Sequence, residues 1–388
     1  MAIAACSSSG IDTTEPSDEV PDATSPDATS DGDGSESDAS PPSSDSAVAG
    51  DDSSEADDDS MADDAATDTE DPSETGDGDP STSDPETDDD PPATTVAPIE
   101  CGDVTPGATE IELDAFERSY TTYVPDDLGT PGDLGDVARP ALILLHGFGG
   151  NGVERAASTG LDEIAPDAGV VLVAPQGIGE VPTWHIGGSD QAVADSDVAF
   201  LDAIIDSLAS SECVDADNIW LAGFSAGSAY AGVYGCGHTD RLAGIGMASG
   251  LPPAICPDDA DVSIQITHGT DDVIVPFGGG EQTTSDVDSV DLGSVPASSA
   301  EWAARAGCGE SAESIFGETN RSVVTSWTDC RGGASVSLLA VEGLNHAWAG
   351  GEQAPEFFEP ISPIVDAGCV LVQTMIDPEL DPFPPCFS

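Results

Sequence analysis

The chain has 388 residues and a formal net charge of −69, with seven Lys plus Arg against 76 Asp plus Glu. A field of that sign and size excludes nucleic acid and anionic membrane surfaces as partners. No run of about 18 apolar residues occurs, so no membrane-spanning helix is expected.

The charge is unevenly placed. Residues 1–100 hold 31 of the 76 acids and contain no Lys, Arg, Phe, Trp or Tyr. Such a stretch cannot bury enough apolar surface to offset chain entropy, and its charges repel. It is expected to be a disordered acidic tether rich in Ser, Asp and Pro. Its Asp runs lack EF-hand spacing, which argues against calcium binding. Within it, Ile3-Ala4-Ala5-Cys6 has the small-residue pattern of a bacterial lipoprotein cleavage site. Only five residues precede Cys6, fewer than a leader peptide needs, so either translation starts upstream or the match is chance. The first alternative implies a membrane tether through a lipid on Cys6.

Residues 101–388 have the composition of one globular domain and enough length for a sizeable core. Their 45 acids face seven Arg and no Lys, a net charge near −38. That balance fits a saline setting. A melting temperature that rises with NaCl is the expected outcome, because added ions screen the self-repulsion.

The elements alternate along this body. Residues 119–124 read as an early strand, and residues 125–140 as a Gly/Asp/Pro loop. Residues 141–145 are apolar without alternation, as an interior parallel strand covered on both faces should be. They run into His146-Gly147-Phe148-Gly149-Gly150. A helix is expected over 156–168, a strand over 170–174, and a loop over 176–191 carrying Trp184 and His185. Val198, Leu201, Ile204, Ile205 and Leu208 recur at helical spacing. A strand over 218–222 precedes Gly223-Phe224-Ser225-Ala226-Gly227, and a helix follows over 228–235. Strands over 243–248 and 262–267, a helix over 297–306, a strand over 335–341 and a helix over 364–375 complete the chain. Strands alternating with helices imply an α/β fold with a mostly parallel, doubly covered sheet.

Eight of the nine cysteines lie in the body, dispersed and without a C-x-x-C pair. That usage fits disulfides and an exported protein better than zinc or redox chemistry. Topology suggests a pair between Cys213, before the central strand, and Cys236, at the end of the following helix. Cys308 and Cys330 flank one excursion and suggest a second.

G-x-S-x-G between a strand and a helix is the setting of a nucleophile elbow, although a plain Gly/Ser turn would match it too. A serine hydroxyl needs a base, and the base needs an orienting carboxylate. Among five histidines, His346 sits in a Gly-rich loop after the last strand, where a base belongs. His268 ends a strand in a His-Gly turn and reads as structural. His146 does the same and is a candidate for the substrate cleft. His185 could line that cleft, and His238 reads as surface. Asp271 and Asp272 both follow the 262–267 strand, and spacing alone leaves them equivalent. The order Ser225, Asp, His346 is that of α/β-hydrolases. The backbone N–H groups of Ala226 and of Phe148 are the expected oxyanion donors. No metal or other cofactor is required.

Taken together, Leu145–Gly150, Asp197–Leu201, Cys213–Asp215, Gly223–Gly227, His268–Pro276 and Gly343–Gly350 resemble the secreted serine esterases that include polyhydroxybutyrate depolymerases, feruloyl esterases and acetyl xylan esterases. The resemblance spans most of residues 119–350. It implies the α/β-hydrolase fold, and its His-Gly-Thr-x-Asp pattern implies Asp272 as the acid. Three positions depart from the family pattern: Ser228 where Gly is frequent, His185 after Trp184 where Asn is usual, and Ala349 after Trp348 where Pro is common. Trp184, His185 and Trp348 are therefore expected beside the substrate.

The function expected is that of an exported, monomeric serine esterase acting on feruloyl or acetyl esters of plant polysaccharide, or on a hydroxyalkanoate polyester. Two other readings fit parts of the sequence. One is a surface-tethered binding module on an inactive hydrolase fold, which would have no need of all three polar groups. The other is a prolyl-oligopeptidase-like peptidase, against which the absence of a propeller-sized N-terminal domain counts.

Overall fold

A computed structural model describes residues 107–125, 138–186, 191–253, 256, 261–282, 290–317, 321–352, 365–377 and 386. The acidic stretch 1–100 and Cys6 lie outside the described residues.

The strands are β1 (Gly107–Leu113), β2 (Arg118–Val124), β3 (Arg139–Leu145), β4 (Val171–Pro175), β5 (Val214–Phe224), β6 (Gly244–Ala248), β7 (Ser263–Gly269), β8 (Gly280–Gln282), β9 (Val290–Leu292), β10 (Ser311–Phe316), β11 (Ser322–Trp327) and β12 (Val336–Val341). The helices are α1 (Gly152–Ser158), α2 (Leu161–Asp167), α3 (Gln191–Ala209), α4 (Ala226–Gly237), α5 (Val295–Arg305) and α6 (Ala367–Ile376). Ten strands form one sheet in the order β1-β2-β4-β3-β5-β6-β7-β12-β11-β10. The run from β4 to β12 is parallel throughout. Antiparallel strands border it on both sides.

The unbroken apolar strands are covered on both faces, as expected of interior parallel strands. Side chains alternate across a strand, so β3 divides its residues between two cores. Ile143 and Leu145 pack with Leu201 and Ile204 of α3, Tyr230 of α4 and Trp302 of α5. Leu142 and Leu144 pack with Ala156 of α1, Leu161 of α2, and Val370 and Leu371 of α6. In β5, Ile219 and Leu221 face the first core, and Trp220 and Phe224 the second. The sheet is the middle layer of three, and the C-terminal ends of its central strands lead into the Ser225, Asp272 and His346 segments.

Several expectations change. The helix expected over 156–168 is two helices, because the chain turns at Gly160, where φ is 71°. A left-handed residue of that kind ends one helix and starts another cheaply only as glycine. The edge strands β1 and β10, and β11 next to β10, carry no continuous apolar run. β10 is exposed along most of its length, so local composition did not mark it.

Cys308 pairs with Cys330 as expected. Cys236 does not pair with Cys213; it is bonded to Cys256, while Cys213 is disulfide-bonded elsewhere. The reason lies in α4. Gly232, one turn before Cys236, sits against Pro253, where an added Cβ would meet the ring at 2.9 Å. The same helix face therefore meets Pro253 and, through Cys236, Cys256, both after β6. Cys369 pairs with Cys386 across 17 residues and ties α6 to the chain that follows it. Removing this bridge (Cys369→Ser with Cys386→Ser) is expected to cost about 3 kcal/mol, read by chemical denaturation. An unchanged transition midpoint would show that it adds nothing.

Candidate active site

β5 ends at Phe224 and α4 starts at Ala226, so Ser225 occupies the one-residue turn between them. Its φ of 54° and ψ of −118° lie where a side chain is unfavourable, at a cost of about 1–3 kcal/mol. The flanking glycines explain how the turn can be this tight. A Cβ on Gly223 would fall 2.3 Å from the Gly227 carbonyl carbon, and one on Gly227 would fall 2.4 Å from the His146 oxygen. Ser225 N donates to Ala248 O of β6 at 2.9 Å, anchoring the turn to the neighbouring strand. Ser225 is half-buried, so its hydroxyl is both held and reachable.

His346, in the loop after β12, accepts the Ser225 Oγ proton at its Nε2 across 2.8 Å. Its Nδ1 donates to Asp272 Oδ2, also at 2.8 Å. Asp272, in the loop after β7, receives the Ile274 and Val275 amides on Oδ1, each at 2.8 Å. His268 Nε2 lies 3.3 Å from Asp272 Oδ2 and donates to Val275 O at 2.8 Å. Burial alone would raise the Asp272 carboxyl. Hydrogen bonds from His268 and His346, the charge of His346 and the Val275 amide outweigh it, and the carboxyl is held well below its usual range. Asp271 points elsewhere: it is exposed and accepts the Thr270 hydroxyl. The choice that spacing left open is thus made by burial and contact, and Asp272 is the carboxylate that reaches His346.

Two further residues brace the histidine loop. Asn345 Oδ1 accepts from the His346 and Val273 amides, at 2.8 and 3.2 Å. Ser249, buried and at φ 51°, donates its hydroxyl to Ala347 O at 3.0 Å. Sequence reasoning passed over both, and their only signal was position beside a motif or strand end.

The 146–150 turn runs alongside the serine. A Cβ on Gly147 would lie 3.3 Å from Ser225 Cβ. Ala226 opens α4, where the first N–H groups of a helix have no intrahelical partner. Phe148 projects its ring into solvent and is 71% exposed. The 176–186 loop carries the exposed apolar residues Ile178, Val181 and Ile186, and the acid loop carries Val273 and Ile274.

The residues expected beside the substrate are placed differently from one another. His185 is half-buried. His146, Trp184 and Trp348 are all interior, at 0%, 2% and 2% exposure, and none offers a ring face to solvent. Ser228, at the position of a frequent family Gly, is fully buried with no hydrogen-bond partner for its hydroxyl. His238 stacks on Tyr234 at 4.1 Å, at the far end of α4 from Ser225. Among the described residues no cluster of His, Cys, Asp and Glu could hold a metal ion, and no helix is long and apolar enough to cross a membrane.

Residues 134–291 match the phospholipase/carboxylesterase family. Among curated proteins, NocK of Nocardia uniformis subsp. tsuyamanensis, named as an esterase, is 29% identical over 232 residues, 55% of this chain and 66% of the relative. Feruloyl esterase B of Piromyces equi is 26% identical over 242 residues, 60% of this chain and 44% of that protein. The chain thus spans 66% or less of the length of these two relatives. Among solved structures, an acetyl xylan esterase from Aspergillus awamori aligns with a TM-score of 0.44 at 14% identity, covering 62% of this chain and 94% of that one.

Proposed function

We propose that this chain, a member of the α/β-hydrolase superfamily, hydrolyses carboxylic esters through Ser225, His346 and Asp272. The observation that carries the proposal is the unbroken line from Asp272 Oδ2 through His346 to Ser225 Oγ, two contacts of 2.8 Å ending on a strained, reachable serine.

In this mechanism His346 Nε2 takes the Ser225 proton as Oγ attacks the ester carbonyl. The carbonyl oxygen becomes an oxyanion and accepts hydrogen bonds from the Phe148 and Ala226 amides. The intermediate collapses, the alcohol leaves with the proton from His346, and an acyl-enzyme remains. Water then attacks, again with His346 as base, and the acid departs. Asp272 holds His346 in the tautomer with Nδ1 protonated and stabilises the imidazolium as it forms.

The substrate is an uncharged ester with an apolar or aromatic acyl or alcohol group. Exposed apolar side chains stand on the segments next to the triad: Phe148 in the turn that adjoins Ser225, Ile178 and Val181 in the loop hydrogen-bonded to Gly149, and Val273 and Ile274 directly after Asp272, in a chain otherwise dense in carboxylates. Feruloyl or acetyl esters of plant polysaccharide, and hydroxyalkanoate polyesters, meet that description. Disulfides support an exported location. A tether through Cys6 would place the enzyme at a cell surface.

A fluorophosphonate probe tests the proposal, because it bonds only to an activated serine. Labelling of the wild type and none of Ser225→Ala is expected. An unlabelled wild type would instead favour a binding module on an inactive hydrolase fold.

A further inference from the structure

His146 and Trp184 are buried beside the site, yet neither is used in the chemistry above. His146 Nε2 accepts the Gly177 amide at 2.8 Å and faces the Gln176 Nε2 group at 3.3 Å. Both neighbours are donors, so Nε2 carries no proton and Nδ1 does. That Nδ1–H donates to Gly147 O at 2.7 Å, and the Gly150 amide reaches the same oxygen at 3.0 Å. Burial lowers the His146 pKa, which keeps the ring in this neutral form.

The consequence follows from the peptide plane. The Gly147 carbonyl and the Phe148 N–H belong to one planar, non-prolyl unit, so they point in opposite directions. Pulling the carbonyl oxygen inward onto His146 aims the Phe148 N–H outward. His146 is itself held: Trp184 Nε1 donates to its carbonyl at 2.9 Å. The Trp184 ring stacks on Tyr230 at 5.9 Å and lies 5.5 Å from the Arg118 guanidinium. Arg118 pairs with Asp197 at 2.5 Å, both fully interior, and the second Asp197 oxygen accepts the His185 amide at 2.8 Å. A buried line therefore runs from β2 and α3 to the 146–150 turn.

We propose that His146 and Trp184 are positioning residues that aim the oxyanion donor of Phe148, with the Arg118–Asp197 ion pair fixing Trp184 and His185 behind them. The inference rests on the serine esterase mechanism. It assigns Trp184 and His146 to the back of the oxyanion site and not to the substrate surface.

A trifluoromethyl ketone separates this role from a merely structural one. Ser225 Oγ adds to the ketone carbon, the proton moves to His346, and the carbonyl oxygen becomes an anion at the oxyanion site. Trp184→Phe keeps an aromatic ring in the stack and removes the indole N–H together with its five-membered ring, and its thermal melt reports the packing loss separately. It is expected to lower kcat about tenfold with KM within about twofold, and to weaken the ketone by the same factor as kcat/KM. His146→Ala should cost about 10²-fold or more in both. His146→Asn, whose amide can reproduce the Nδ1–H donor, should recover part of the loss. Ketone affinity unchanged in Trp184→Phe, or lost without a matching fall in kcat/KM, overturns the inference. Thermal melts of each variant accompany the kinetics, so a folding defect in His146→Ala leaves Trp184→Phe as the deciding case. If Ser225→Ala retains wild-type rates, the mechanism itself fails. If Ser225→Ala is inactive and Trp184→Phe behaves as wild type, only the positioning role fails.

Discussion

Ser225→Ala lowers kcat on p-nitrophenyl acetate or methyl ferulate by a factor on the order of 10⁶, to the level left by binding and the oxyanion donors alone. The size follows from what the serine does: without Oγ there is no acyl-enzyme, and His346 and Asp272 have nothing to activate. The fold should survive the change. Ser225 pays a backbone penalty for its φ of 54°, and Ala removes only the hydroxyl that bonds His346. A melting temperature close to wild type with hydrolysis abolished is the expected pair of results. Equal rates in the two proteins would end the esterase mechanism.

Asp272→Asn gives the second large effect, a fall in kcat of about 10⁴-fold, through the wrong tautomer of His346. An asparagine NH₂ facing Nδ1 would leave the proton on Nε2, the atom that must receive it from Ser225. Asp271→Asn serves as the control and should change kcat little, since the Asp271 side chain is exposed and its carboxylate accepts the Thr270 hydroxyl, while its backbone bond to Leu344 O is untouched by the substitution. Comparable losses in the two variants would overturn the assignment. Asp272 also contributes to acid stability with a defined sign. Its folded pKa is depressed, so its contribution is present above the unfolded carboxyl value near pH 4, and falls away as pH drops from there through the folded value. Asp272→Asn should therefore flatten the loss of stability below about pH 4, measured by denaturation at several pH values.

Much of this site was legible before any coordinates. Gly223 and Gly227 had to be glycine because main chain passes within 2.6 Å of where a Cβ would stand, that of Gly227 and Ser228 for the first and that of Leu145 and His146 for the second. That crowding leaves a mark in the sequence itself. The apolar runs of β3 and β4 were equally plain, since a strand covered on both faces has no polar side to show. The edge strands were not, because β10 is solvent-exposed and its composition carries no period. The Cys236–Cys256 bridge was missed because a helix face, not a position along the chain, selects the partner.

The sequence by itself determined the α/β alternation, the elbow around Ser225 and the candidates His346 and Asp271 or Asp272, because local sterics and hydrophobic patterning act over a few residues. Only the tertiary structure decided which acid meets His346, which way Trp184 and His146 face, and that a buried Arg118–Asp197 pair stands behind the oxyanion turn. Those contacts join residues 74, 38 and 79 positions apart. Burial and hydrogen-bond satisfaction at such separations depend on how the whole chain closes around the sheet, and no local pattern records them.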